Sequence, residues 1–316
     1  MLGCSPACCA VATERLPVYG GQAVMEGVMM RGQRYVAVAV RAPSQEIVVK
    51  SEELPPRLYQ SRIAHIPFAR GSILLWDTLV LGMRALTFSA DVLMGQEDAK
   101  LARPIAWTSI AIGLAAGVGL FFILPLLLTT LVHQQLGSSL AANIAEGGVR
   151  IVLLIAYVGL IGLVPDIRRV YMYHGAEHKA INAFEAGSPL RARLILPYSI
   201  RHPRCGTNFL LIVGILHVAI VAPLGRPESL LLLIVSRVVT IPLVAGVAYE
   251  AIKWGAANFT NPAVMALMRP GLALQPLTTR EPDESQIEVA ARALTTVIQL
   301  EHPELLDAEE VIAPVA

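Results

Sequence analysis

The chain has 316 residues, 55% of them hydrophobic and 16% charged, with a formal net charge of +1. A soluble globular chain averages about 45–50% apolar and about 25% charged residues, so this composition points to a membrane protein. The near-zero net charge gives no basis for a nucleic-acid partner.

Residues 1–12 lack a basic start and an apolar core before a cleavage site, so no signal peptide is expected. Cys4, Cys8 and Cys9 fall in a segment, residues 1–17, that reads as a disordered tail. Metal binding or lipidation of these thiols has only a weak pattern behind it, Cys4-x3-Cys8 with no histidine nearby. A small β unit is expected over 18–55. Val36–Val40 and Ile47–Val49 are β-prone runs, and Ala42-Pro43-Ser44 between them supplies turn chemistry. Ahead of them, glycines at 20, 21, 27 and 32 bracket Glu26, a pattern suited to close backbone approach. Residues 56–103 form the next segment. Its stretch 71–95 has helical periodicity interrupted by Asp77, Arg84 and Asp91, and reads as an amphipathic, interfacial helix.

A membrane crossing needs about 20 mostly apolar residues. Residues 105–132 suffice, with a kink expected at Pro125, and 149–165 suffice if Arg150 snorkels to the interface. Residues 208–225 and 228–249 form a pair joined at Gly225-Arg226-Pro227, and Arg237 inside the last run should face the bundle interior. The fold expected is predominantly α: a multi-pass membrane protein of four transmembrane helices, paired over 104–165 and 208–250. The loop 133–148 has no Lys or Arg, whereas 166–207 carries Arg168, Arg169, Lys179, Arg191, Arg193, Arg201 and Arg204. Positive-inside counting then puts both termini and the 166–207 segment in the cytoplasm, in an inner (cytoplasmic) membrane. The tail 251–316 is cytosolic on this reading, with a capped amphipathic helix over 283–300.

Chemistry concentrates in 166–207. Asp166 to Ala186 has no proline, starts on a capping residue and ends at Gly187, so it reads as a helix. At about 100° per residue, His178 lies roughly 40° and Glu185 roughly 20° from His174, on one stripe, with Glu177 about 60° to the side. An i, i+4 pair of imidazoles is a standard way to hold a zinc-like divalent ion. His174-x-x-Glu177-His178 also has the residue order of inverzincin proteases, whose glutamate activates water. His202-Pro-Arg-Cys205 adds a second pair, its thiol flanked by arginines and competent as a soft ligand. The expected ligands are therefore His174, His178, His202, Cys205 and Glu185. Glu177 is the expected base, with Glu26 and Arg31 as further catalytic candidates.

Four motifs together resemble the YqhQ-like family of bacterial membrane proteins, a domain-of-unknown-function family catalogued as predicted metal-dependent enzymes. They are Gly20–Gly32, Tyr173–Lys179, His202–Thr207 and Thr278–Pro282, and the resemblance runs from about Tyr19 to Leu294. It implies a multi-pass, metal-binding protein with the matched positions Glu26, Arg31, His174, Glu177, His178, His202 and Cys205. The inverzincin pattern expects a distant glutamate as third ligand, and here a His/Cys pair lies nearer. Three functions compete: a membrane metal-dependent hydrolase, a non-catalytic scaffold closed by four ligands, and a transporter. The expected partners are membrane lipids and a substrate the sequence does not name. Homo-oligomerisation is compatible with the chain.

Overall fold

The computed structural model describes residues 16–55, 66–95, 108–227, 229–258 and 261–306. The expected tail with Cys4, Cys8 and Cys9 lies outside the described residues, except for Leu16 and Pro17.

Four strands form an antiparallel meander in chain order: β1 (Gly20–Val24), β2 (Gly27–Arg31), β3 (Tyr35–Arg41) and β4 (Ile47–Glu53). The sheet starts earlier than its β-branched runs suggest, because Gly20–Gly32 is a hairpin turning at Met25-Glu26. Glu26 occupies the turn with φ of 51°. The first long helix, α1 (Ala69–Met94), is followed by α2 (Thr108–Leu131), α3 (Ser139–Ile161) and α4 (Pro165–Glu185). Then come α5 (Gly206–Val221), α6 (Leu230–Ala257), α7 (Pro262–Leu274) and α8 (Glu284–Glu301).

Both faces of the sheet are covered, which explains why β2 and β3 read as near-continuous apolar runs. Val28, Met30, Ala37 and Ala39 point into a core shared with α4 and α8, whose Tyr173, Ala176, Ile287 and Leu294 are fully buried. The opposite pleat, Met29, Val36, Val38 and Val40, packs on Leu81 and Ala85 of α1. The C-terminal helix is thus the centre of the sheet-side core. Its start has the capping box Asp283/Gln286. Its end has Glu301, whose carboxylate accepts the backbone N–H groups of Gln33, Arg34 and Tyr35 in the β2–β3 turn.

Four helices are long and apolar enough to cross a membrane: α1, α2, α3 and α6. They are not quite the expected four. α1 has span length despite its charges, and one of these, Asp77, is paired with Arg31 of β2 at 3.0 Å. α5 is apolar but short. α3 begins ten residues before the expected 149, so Arg150 is mid-helix and largely covered rather than snorkelling to an end. Glu146, one turn earlier, supplies its counter-charge at 3.0 Å. In α2 a π-helical stretch, Gly119–Ile123, precedes Pro125. Proline cannot bond the carbonyl four residues back, so Phe121 is released and accepts from Arg150 Nε at 2.8 Å. Arg237 faces the bundle interior, as its place in an apolar run requires.

Candidate metal centre

α4 positions the site. Pro165 occupies its first turn with Asp166, and Gly187 at φ of 70° ends it. The helix is amphipathic in a polar sense: His174, His178, Asn182 and Glu185 descend one stripe, and each is met by a distant segment, His178 and Asn182 by the same one. Asn182 Nδ2 donates to the carbonyls of Ser199 (2.8 Å) and Arg201 (3.0 Å). That fixes the carbonyl between them, Ile200, which accepts from His178 Nδ1 at 2.5 Å. Thr278 presents its carbonyl to His174 Nδ1 at 3.0 Å. Gly175 makes this approach possible, since a Cβ there would collide with the Arg280 carbonyl oxygen.

With both Nδ1 atoms donating to backbone carbonyls, both imidazoles are set in the tautomer whose Nε2 lone pair is free. This is the usual outer-shell arrangement of a metal-binding histidine. The rings lie 4.5 Å apart, centroid to centroid. Cys205 completes a triad: one ligand atom from each of His174, His178 and Cys205 lies within 4.8 Å of the other two. Cys205 Sγ is 3.4 Å from His174 Nε2. Nitrogen and sulfur bound tetrahedrally to one zinc would be about 3.6 Å apart, so this edge already has the required length.

His202 and Glu185, expected among the ligands, stand outside the triad. His202 Nδ1 accepts from the Arg204 N–H (3.3 Å) and its Nε2 faces Glu185 Oε2 at 3.4 Å, leaving neither ring nitrogen free. Arg204 and Glu185 form an ion pair that occupies the carboxylate. Burial pushes the Glu185 carboxyl up, but its bonds to His202 and Arg204 outweigh this and hold it below the usual range. His202 instead anchors the Cys205 turn. Its N–H donates to Gln275 Oε1 (2.9 Å), and Gln275 Nε2 donates back to its carbonyl (2.7 Å). Gln275 is fully buried and escaped the sequence reading, because a lone amide beside a proline carries no metal-ligand signal.

Glu177 is buried against the triad. Its Oε2 has no hydrogen-bond partner and lies 4.0 Å from His174 Nε2. The carboxylate also accepts the Gly21 N–H. Gly21 must be glycine: a Cβ would sit 2.7 Å from the Met29 carbonyl oxygen and 2.8 Å from Glu177 Cγ. Desolvation raises the Glu177 carboxyl to about 7, against the opposing effects of His174 and the Gly21 N–H. Glu26 and Arg31 are engaged elsewhere. Glu26 pairs with Arg169 and accepts from the Tyr173 hydroxyl (3.2 Å), pinning the hairpin tip to α4, and Arg31 joins β2 to Asp77 and Thr78 of α1. Glu250 is held by Arg70 in a two-pronged pair at 2.5 and 2.6 Å.

These features define a mainly helical protein with membrane-length apolar helices, a small sheet, and a His/His/Cys cluster of metal-ligating type. The chain belongs to the family described as Protein of unknown function (DUF1385), whose model matches residues 66–300. It is 32% identical over 305 residues to "Uncharacterized protein YqhQ" of Bacillus subtilis (strain 168), covering 90% of this chain and 93% of that one. No solved structure matches it.

Proposed function

We propose that this protein is an integral membrane, metal-dependent hydrolase, with His174, His178 and Cys205 as ligands of a zinc-like divalent ion and Glu177 as the base. The observation that carries this reading is the unpartnered, buried Glu177 Oε2 beside a three-ligand set. Three protein ligands leave a coordination position open, as catalytic zinc sites do, whereas a structural site uses four. The bound ion would supply Lewis acidity and make a coordinated water acidic near neutral pH.

The side chains divide the remaining work. The Thr278 and Ile200 carbonyls keep His174 and His178 in their ligating tautomers. Glu177 takes a proton at Oε2 and can return it to a leaving group, for which a carboxyl raised to about 7 is well matched. Its hydrophobic surroundings and the Gly21 N–H hold it in one orientation. The Arg/Lys distribution supports a membrane orientation with the site facing the cytoplasm. A scaffold closed by four ligands would need His202, whose ring nitrogens are both in use.

Elemental analysis of detergent-purified protein tests the assignment, alongside turnover on a panel of ester and peptide substrates. Wild type and Glu177→Gln should carry one zinc-like ion per chain, His174→Ala none, and only wild type should turn over. Wild-type protein free of transition metal would refute it.

A further inference from the structure

At the opposite end of α5 from Cys205, the apolar bundle buries a second polar cluster. Arg150 of α3, Arg226 in the α5–α6 turn and Arg237 of α6 converge on one carboxylate, Glu146, at 3.0, 3.5 and 3.2 Å. The side chains of Glu146, Arg226 and Arg237 are nearly inaccessible, and that of Arg150 is largely covered. Among the described residues, three guanidinium groups thus face this one carboxylate. Charge inside an apolar bundle is costly unless paired and commonly marks function.

The hydrogen bonding is incomplete as well. Charge-assisted bonds normally measure about 2.7–2.9 Å. Arg226 reaches Glu146 only at 3.5 Å, the Leu126 carbonyl at 3.4 Å and Thr129 at 3.3 Å; its one short bond is to Thr130 at 2.8 Å. Arg237 has one short bond, 2.7 Å to Asn143 Oδ1, and longer ones to Glu146 and Ser236. Asn143 in turn ties the end of α5 to this cluster through the carbonyls of Val221, Ala222 and Gly225. His217 of α5 is 6% exposed, has Arg150, Arg237 and Glu146 as its charged neighbours, and its Nε2 has no partner.

We propose that this cluster binds a phosphate group carrying two negative charges. A phosphomonoester or free phosphate dianion matches three guanidinium groups that, among the described residues, share one carboxylate. Its oxygens can accept from the guanidinium hydrogens of Arg226 and Arg237 that now make only long bonds, and from His217 Nε2 in its N–H form. Planar guanidinium forks suit this ligand better than ammonium groups would. Arg226, in the turn at the helix ends, is the entry residue. The phosphate can belong to a lipid headgroup or be free in solution.

The test uses full-length, delipidated protein in detergent, with thermal unfolding and native mass spectrometry as readouts. Inorganic phosphate, short-chain phosphatidic acid and short-chain phosphatidylcholine are added separately. Wild type should bind one phosphate group and unfold at a higher temperature, with phosphatidylcholine inert. Stabilisation by phosphatidic acid alone assigns a headgroup, and stabilisation by inorganic phosphate as well assigns free phosphate. Arg226→Gln should weaken binding at least about tenfold, the loss expected for one charge-assisted contact, while keeping its metal content. Wild type that neither binds nor is stabilised by either phosphate compound overturns the proposal, and this arm needs no variant to fold. Equal affinity in a folded Arg226→Gln variant overturns it too.

Discussion

Asn182→Ala is the sharpest test of how the metal centre is built, because Asn182 touches no proposed ligand atom. Its amide makes two hydrogen bonds, 2.8 Å to Ser199 and 3.0 Å to Arg201, that bracket the Ile200 carbonyl. That carbonyl fixes the His178 ring. Each bond contributes about 0.5–1.5 kcal/mol net. Their position near the surface favours the low end, so the fold should survive a loss of about 1–2 kcal/mol. The binding cost is separate. Losing an outer-shell partner outright weakens metal affinity about 10–100-fold, or about 1.4–2.7 kcal/mol; Asn182→Ala only loosens that partner, the Ile200 carbonyl, so the low end, about tenfold, is expected. Competition titration against a fluorescent zinc chelator, on detergent-purified protein, measures it directly. Glu301→Ala is the control: it removes three backbone N–H contacts far from the site, so it should lower thermal stability and leave zinc affinity unchanged. Wild-type zinc affinity in Asn182→Ala, or an equal loss in Glu301→Ala, would refute the reasoning.

Gly21→Ala should keep its metal but lose turnover, since the added methyl must displace Glu177 or part β1 from β2. The overpacking should cost about 1–3 kcal/mol in chemical denaturation; unchanged turnover would show that Glu177 does not need its Gly21 contact. Leu294→Ala, at a fully buried position between the sheet and α4, should lower stability by about 2–5 kcal/mol. A loss under about 1 kcal/mol would mean that α8 is not the centre of this core. Asp283→Ala should cost about 1 kcal/mol at neutral pH by removing the α8 cap. Burial pushes the Asp283 carboxyl up, but bonds from Ser285 and Gln286 and the nearby Arg169 hold it below its ordinary value. An acid depressed in the folded state stabilises above its ordinary pKa, and the contribution fades as pH falls through the lower folded value. The variant should therefore lose less stability than wild type between neutral and strongly acidic pH, and parallel acid unfolding curves would contradict this.

The helical, apolar character of the chain was legible because it depends on local composition and period, which neighbours do not alter. The stop of α4 at Gly187 follows from cap chemistry in the same way, but its start does not: Val164 is the cap residue and Pro165 opens the helix, so Asp166 lies in the first turn rather than capping it. The i, i+4 pairing of His174 and His178 needed only helix geometry. Span boundaries were less legible. Arg150 looked like the edge of a crossing until Glu146, one turn away in the bundle, proved to be its partner. The amphipathic reading of 71–95 likewise could not anticipate Arg31 arriving from a strand to take Asp77.

The membership of the candidate site was decided by tertiary structure alone. His202 and Glu185 have the right chemistry to bind metal, yet Arg204 and Gln275 occupy them, while Thr278 and Ile200, as backbone carbonyls, leave no trace in residue identity. Sequence determined which groups were available: a helix with two imidazoles and an acid on neighbouring faces, and a cysteine in a nearby loop. Only folding decided which lone pairs were left over, because a hydrogen bond made by one ring nitrogen or one carboxylate oxygen removes or exposes the other. That choice rests on contacts between segments up to about a hundred residues apart, such as His174 with Thr278, which local pattern cannot encode.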